Sequence, residues 1–368
     1  MISVVLSLII VVHAIIHLTA FTKGRNTDLH ETFSSKTTIF ISKNTSKIIG
    51  LLWLVNSILL FVSAYAYYLQ KDWFWIIGVA SFTISQGLII LNWPEAKWGT
   101  LINVILLFVI LGAAARIQFN KMVKKEVINL ISTSLPTRSF VREDKVTTLP
   151  NVVQNWLRTS HVVGLSIPTS IHIVQKGSMR SDENSGWMPF DAEQYFSINP
   201  PGFVWRATIH TDKLIDIVGR DKYENGKGNM LIKASSLIPI ANNSGDEIDQ
   251  GTMIRFMAEV IWFPHAAVSN YLHWEEIDST HAQVTMTYKG VTASGIYTFN
   301  RDGLPIGFEA QRYGEFKGKF SKELWSVSIN NYKYFHGVPI GNFCEVTWKL
   351  KDRNFTWLKL SIVDLNYQ

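Results

Sequence analysis

Asp249 to Phe263 reads DQGTMIRFMAEVIWF. Met253, Phe256, Met257, Val260 and Ile261 recur at three- and four-residue spacing, which places them on one face of a helix. Pro264 ends it, because proline cannot donate the next backbone hydrogen bond. A second short helix is expected over Pro264 to Tyr271. On both sides of this segment the apolar residues recur every second position, the period of strands. A long antiparallel sheet must curl, and its apolar concave face must be covered. One helical interruption in a run of strands therefore decides the fold, because it supplies the cover.

Outward from that segment the strands can be placed. Before it come Ile171 to Gly177, Ala192 to Ile198, Phe203 to Ile209, Leu214 to Tyr223 and Met230 to Leu237, the last two joined by an Asn225-Gly226 hairpin turn. After it come Ala282 to Lys289, Gly295 to Asn300, Leu304 to Tyr313, Ser321 to Tyr332, Phe343 to Leu350 and Phe355 to Asp364, with a turn at Asp302-Gly303. Leu149 to Ser160 precedes them all and reads as a helix, with Val152, Val153, Trp156 and Leu157 on one face.

Further toward the N-terminus the chemistry changes. Ile2 to Phe21, Ile48 to Leu69, Trp73 to Leu91 and Trp98 to Ile117 hold no Asp, Glu or Lys. Each is long enough to cross a bilayer core as a helix, which takes roughly 20 mostly apolar residues. The first lacks a basic n-region and a small-residue cleavage site, so it reads as a retained span rather than a signal peptide. Trp93 and Trp98, around Pro94 in the last connection, suit the membrane–water interface. The chain is thus α+β. A four-helix transmembrane domain (1–118) is followed by a linker with a short helical start (119–148). Residues 149–368 then form a curved antiparallel half-barrel sheet covered by helices.

Charge sets the expected orientation. The first connection carries Lys23, Arg25, Lys36, Lys43 and Lys47, whereas Gln70 to Asp72 holds only Lys71. The positive-inside bias puts the first connection in the cytoplasm and the β domain outside it, in a multi-pass plasma-membrane (inner-membrane) protein. Arg116, Lys121, Lys124 and Lys125 pull the other way. Net charge is +6, but the excess lies wholly in the first 149 residues, with 14 Lys/Arg against 7 Asp/Glu. A near-neutral β domain argues against nucleic acid as a partner and leaves membrane lipids as the natural one.

Motifs exclude more than they assign. Cys344 is the only cysteine, so neither an intramolecular disulfide nor a thiolate zinc site can form. No G-x-S-x-G, H-E-x-x-H, Walker loop or G-x-G-x-x-G occurs. No catalytic residue, metal or cofactor is assigned. His13 and His17 share a helix face within the first span, with Asn56, Ser85, Gln86 and Asn103 in the others. Such groups either join helices by hydrogen bonds or hold a ligand.

In the β domain, Arg180, Arg220, Asp221, Lys233, Arg312, Glu323 and Glu345 stand where alternation predicts burial or half-burial, and Arg255 and Glu259 lie one turn apart on the covering helix. Buried charges are costly unless paired. They therefore either lock the sheet to its cover or line a headgroup site. The cluster best placed for an anionic headgroup is Arg180, Arg220, Asp249, Arg255 and Glu259, with Trp262 among the aromatics able to line a lipophilic pocket.

Gln175–Arg180 (QKGSMR), Gly219–Tyr223 (GRDKY), Asp249–Phe256 (DQGTMIRF) and Glu345–Trp348 (EVTW) resemble an uncharacterised bacterial family of membrane-anchored proteins, a domain of unknown function. The closing pattern, Asn331–Pro339 then Ser361–Asn366, is similar to the end of LolA-type lipoprotein carriers. That resemblance implies a half-open barrel closed by helices around a hydrophobic cavity that accepts acyl chains. The expected function is a membrane-anchored module that binds a lipid or other lipophilic ligand in the cell envelope. The alternatives are an envelope enzyme acting on a membrane substrate, or a scaffold docking another envelope protein.

Overall fold

A computed structural model describes residues 2–26, 43–134, 139–211, 215–316 and 318–368. They form two compact units, Met1–Asn120 and Lys121–Gln368. Of the basic residues that set the expected orientation, Lys36 lies outside the described residues, as do the side chains of Lys23, Arg25 and Lys43.

The first unit is built from α1 (Ile2–Asn26), α2 (Lys43–Tyr68), α3 (Phe74–Leu91), the single-turn α4 (Trp93–Ala96) and the start of α5 (Gly99–Thr133). Four of these helices are long and apolar enough to cross a membrane. Their large apolar side chains point outward, Leu8, Val12, Ile58, Ile76 and Phe108 among them. Interior positions hold small residues and tight contacts. A Cβ at Gly78 would come within 2.8 Å of Ile110, so glycine is what lets α3 and α5 approach so closely.

Residues 119–133, where a linker with a short helical start is expected, continue α5 without a break for its whole remaining length, and the unit boundary falls inside that helix. Their charges do not interrupt the helix, because Lys, Glu, Val, Ile and Leu are all compatible with it and Glu126 finds partners in the second unit. The short α6 (Glu143–Val146) follows, and Val141 and Val146 are already core residues.

The second unit holds α7 (Asn151–Thr159) and thirteen antiparallel strands. These are β1 (Ser170–Met179), β2 (Met188–Ser197), β3 (Gly202–Ile209), β4 (Ile217–Glu224), β5 (Lys227–Ala234), β6 (Ile238–Asn243), β7 (Leu272–Asp278), β8 (His281–Tyr288), β9 (Val291–Phe299), β10 (Pro305–Phe316), β11 (Lys319–Phe335), β12 (Val338–Lys349) and β13 (Asn354–Tyr367). Their spatial order is β6-β5-β4-β3-β2-β1-β13-β12-β11-β10-β9-β8-β7. Two meanders, β1–β6 and β7–β13, therefore meet where β1 pairs with β13 at the middle of one sheet. Asn225 and Gly226 both have positive φ, as the expected hairpin turn requires.

The edges are β6 and β7, consecutive in the chain and at opposite ends of the sheet. What joins them is the helical interruption: α8 (Asp246–Glu259), then 3-10 turns at Val260–Trp262 and Pro264–Val268. The second is tighter and shorter than the helix expected there. Phe263, held out of the helical region ahead of Pro264, separates the two. From edge to edge, α8 packs against β4 and β5 on one side and β8, β9 and β10 on the other. Phe196, Phe203, Tyr223, Phe256 and Phe263 fill the space beneath it as one aromatic cluster. Trp156 of α7 completes the core against Trp274, Tyr297 and Phe299.

Candidate functional site

The inner face of the sheet is not filled along its whole length. Beside the aromatic cluster lies a cavity of about 780 Å³. One wall is α8 and its extension, through Ile248, Arg255, Ala258, Glu259, Ile261 and Trp262. The opposite wall comes from β11, β12 and β13, through Trp325, Val327, Val346, Trp348, Leu358 and Leu360. Its rim carries the charged stretches Arg180–Glu183 and Leu350–Arg353, together with Gly314, Glu315 and Ser321 and the rings of Phe316 and Phe320.

One polar network ties this region together. Asp221 and Glu259 flank Arg255, accepting from its NH1 at 2.6 Å and its Nε at 2.8 Å. Glu259 also accepts from Gln194 Nε2 at 2.7 Å. Gln194 Oε1 in turn accepts from Gln175 Nε2, and Gln175 Oε1 from the Trp205 indole at 2.9 Å. The Arg255 guanidinium lies 5.0 Å from the Phe203 ring and 4.9 Å from that of Trp205. Four adjacent strands are thus joined to the covering helix, and the buried carboxylates have partners as burial demands. Burial pushes the Glu259 carboxyl up, and the Arg255 guanidinium opposes that.

The six residues singled out from sequence do not form one cluster. Arg255, Glu259 and Trp262 sit at the cavity, where the Trp262 indole donates to the Gly341 carbonyl at 3.2 Å. Arg180 is at the rim, donating to the carbonyls of Thr356 and Glu183 and lying over Trp187 at 4.8 Å. Asp249 is away from the cavity. It accepts from the Gly228 backbone N–H and from Lys227 Nζ, both at 2.7 Å, and so pins the first turn of α8 to β5. A Cβ at Gly228 would lie 2.3 Å from Thr252 Oγ1, so the pin also needs that glycine.

Arg220 alternates with Asp221 along β4, so its side chain leaves the opposite face of the sheet. There its Nε lies 3.0 Å from Glu126 Oε2. Alternation alone could not tell which of two neighbouring charges faced inward.

Sequence reasoning missed Gln175 and Gln194. Both are almost fully buried, and each occupies an inward position in an otherwise apolar series: Ile171, Ile173, Gln175, and Phe190, Ala192, Gln194, Phe196. A polar residue in phase with buried neighbours was the available signal.

In the first unit, the intramembrane polar residues also converge. Asn56 Nδ2 donates to His17 Nδ1 at 3.2 Å, which leaves the His17 Nε2–H to meet Ser85 Oγ at 3.0 Å. Ser85 donates to Asn103 Oδ1 at 3.0 Å, and His13 Nε2 approaches the same oxygen at 3.0 Å. Asn103 Nδ2 continues to Gln86. All four long helices contribute to this chain of bonds, and both histidine Nε2 atoms are spent on it.

The sequence from 139 to 360 matches the model of a family of unknown function, DUF6544, and the chain belongs to that family. The four short stretches that carry the family resemblance all fall inside that match. Among curated proteins nothing matches. Solved structures similar to this chain include a DUF1329-family protein from Desulfovibrio piger, at 7% identity and TM-score 0.35, covering 62% of this chain and 94% of that one. A LolA-superfamily protein from Nitrosomonas europaea matches at 10% identity and TM-score 0.28, covering 55% of this chain and 87% of that one.

Proposed function

We propose that this member of DUF6544 is a membrane-anchored binding module whose β unit holds a lipophilic molecule in the bacterial cell envelope. The carrying observation is the cavity of about 780 Å³ between α8 and the inner face of the sheet, walled chiefly by apolar side chains. That volume lies within the ~300–1,000 Å³ range of small-molecule sites, where a few placed polar groups accompany an apolar lining. Membrane lipids are the partner, supplied by the bilayer in which the four apolar helices sit. The basic first connection supports an extracytoplasmic β unit.

Binding is favoured over catalysis because four of the five charges in the cluster singled out from sequence already have charged partners. Arg220, Asp249, Arg255 and Glu259 each sit in an ion pair, and chemistry on a substrate needs groups free to engage it.

The test is to purify the full chain, extract bound lipids and identify them by mass spectrometry. An enriched lipid at near one per chain is expected from wild type. Filling the cavity with Val327→Trp and Val346→Trp should abolish it while leaving annular lipid unchanged. Equal lipid content in both proteins would overturn the reading. Alkaline phosphatase and green fluorescent protein fused after Gln368 check the orientation, the first being the active one if the β unit is extracytoplasmic.

A further inference from the structure

Among the arginines that line the cavity, Arg312 of β10 is treated differently. Arg255 has Asp221 and Glu259, Arg353 of the rim has Glu183 at 3.3 Å, and Arg180 commits its Nε and NH1 to carbonyls. Arg312 donates only its Nε, to the Gly251 carbonyl at 3.0 Å. Among the described residues no carboxylate comes within ion-pair distance of it. Its guanidinium lies over the indoles of Trp325, at 4.9 Å, and Trp348, at 5.8 Å. Those two tryptophans stand directly opposite each other across the β11–β12 ladder. One hydrogen bond and two aromatic rings thus fix the plane of the guanidinium, while NH1 and NH2 remain uncommitted at the cavity wall.

A half-buried cation without a counter-charge is costly unless something pairs with it. Burial pushes the Arg312 guanidinium down to about 10, so it is still charged at neutral pH. Asp221 and Glu259 act on it from a distance, but both are already bridged by Arg255. The two uncommitted nitrogens of a guanidinium form a planar fork that matches a carboxylate or a phosphate. Beside that fork run Val327, Val346, Leu358 and Leu360, which offer nothing to a polar group and a continuous wall to a hydrocarbon chain.

We propose that the cavity selects amphiphiles with an anionic head, the carboxylate or phosphate seating on Arg312 between Trp325 and Trp348, and the chain lying along β11–β13. This rests on the lipophilic-ligand reading above and narrows it to one chemical class.

The experiment uses the full chain in phosphatidylcholine nanodiscs. cis-Parinaric acid and its methyl ester are the probes, read by energy transfer from tryptophan against empty nanodiscs. Wild type should bind the acid about tenfold more tightly than the ester, the effect of one charge-assisted contact. Arg312→Gln should bring the acid down to the ester's affinity and leave the ester unchanged, which also reports that the variant is folded. Arg312→Lys keeps the charge without the fork and should fall between. If acid and ester bind wild type equally, the headgroup assignment fails while the lipophilic reading stands. If neither binds, both fail. Displacement of the acid by millimolar inorganic phosphate with no effect on the ester would show a free-anion site and overturn the amphiphile assignment. The wild-type comparison decides even where Arg312→Gln does not fold.

Discussion

The two units bury polar groups in opposite surroundings. In the helical unit apolar side chains face outward and His13, His17, Asn56, Ser85 and Asn103 face one another. In the β unit apolar side chains fill the inside, and the polar chain Trp205–Gln175–Gln194–Glu259–Arg255–Asp221 crosses it. The first network is made of neutral groups and links helices, which in lipid have no hydrophobic drive to associate. The second is ionic and links a helix to a sheet that would hold together by apolar burial anyway. The neutral network leaves His13 Nδ1 and Asn56 Oδ1 without a hydrogen-bond partner, but no charge. Beside the ionic one stands Arg312, a charge with no ion-pair partner among the described residues.

The comparison can be broken most directly at Arg255. Arg255→Met leaves Asp221 and Glu259 facing each other without a cation, and the loss of one partner from a buried pair costs about 3 kcal/mol or more. Denaturant unfolding should show a strongly destabilised β unit, with the helical content of the membrane spans retained by circular dichroism. A variant as stable as wild type would mean the network does not tie α8 to the sheet.

A second test separates the units by pH. His265 is buried in the 3-10 turn after Pro264, edge-on to Tyr367 at 5.1 Å. Burial pushes its imidazole down to about 4. The unfolded chain therefore takes up a proton near pH 6.5 that the folded chain refuses until about pH 4. Stability from this group is full above pH 6.5 and is lost as the pH falls toward 4. Between pH 7 and pH 5 the loss is about 2 kcal/mol. His265→Phe should remove that component from the pH dependence of unfolding; an unchanged slope would show that other groups carry it.

The smallest effect sharpens the contrast from the other side. Asn103→Leu breaks the neutral network in the bundle but adds no unpaired charge, and should cost about 1 kcal/mol in a detergent unfolding titration. A cost matching that of Arg255→Met would erase the distinction between the two networks.

Much of the architecture could be read from residue pattern. Eleven strands, the α8 interruption and the four apolar helices are all found. The two strands that were not anticipated, Ile238–Asn243 and Leu272–Asp278, are the two edges. An edge strand lies against a neighbour on one side only, and in Ile238–Asn243 no residue is fully buried, so its alternation is weak.

The site was legible in part. Arg255 and Glu259, a turn apart, could be paired by helix geometry, whereas the partners of Asp249 and Arg220 come from β5 and α5 and depend on tertiary packing. Arg312 stood among the candidate buried charges. What distinguishes it is a guanidinium fork left open at the cavity wall with no ion-pair partner among the described residues, and that is decided by strands far from it in sequence.

The seam between β1 and β13 has a consequence for how the chain is made. Ser170 and Gln368, hydrogen-bonded beside that seam, are 198 residues apart. The β1–β6 meander can form early from local hairpins, but its inner edge has no partner until the last strand has been synthesised. For that interval the growing chain presents a half-sheet with an open strand edge and half a cavity. Its apolar face must stay shielded from other chains until β13 arrives.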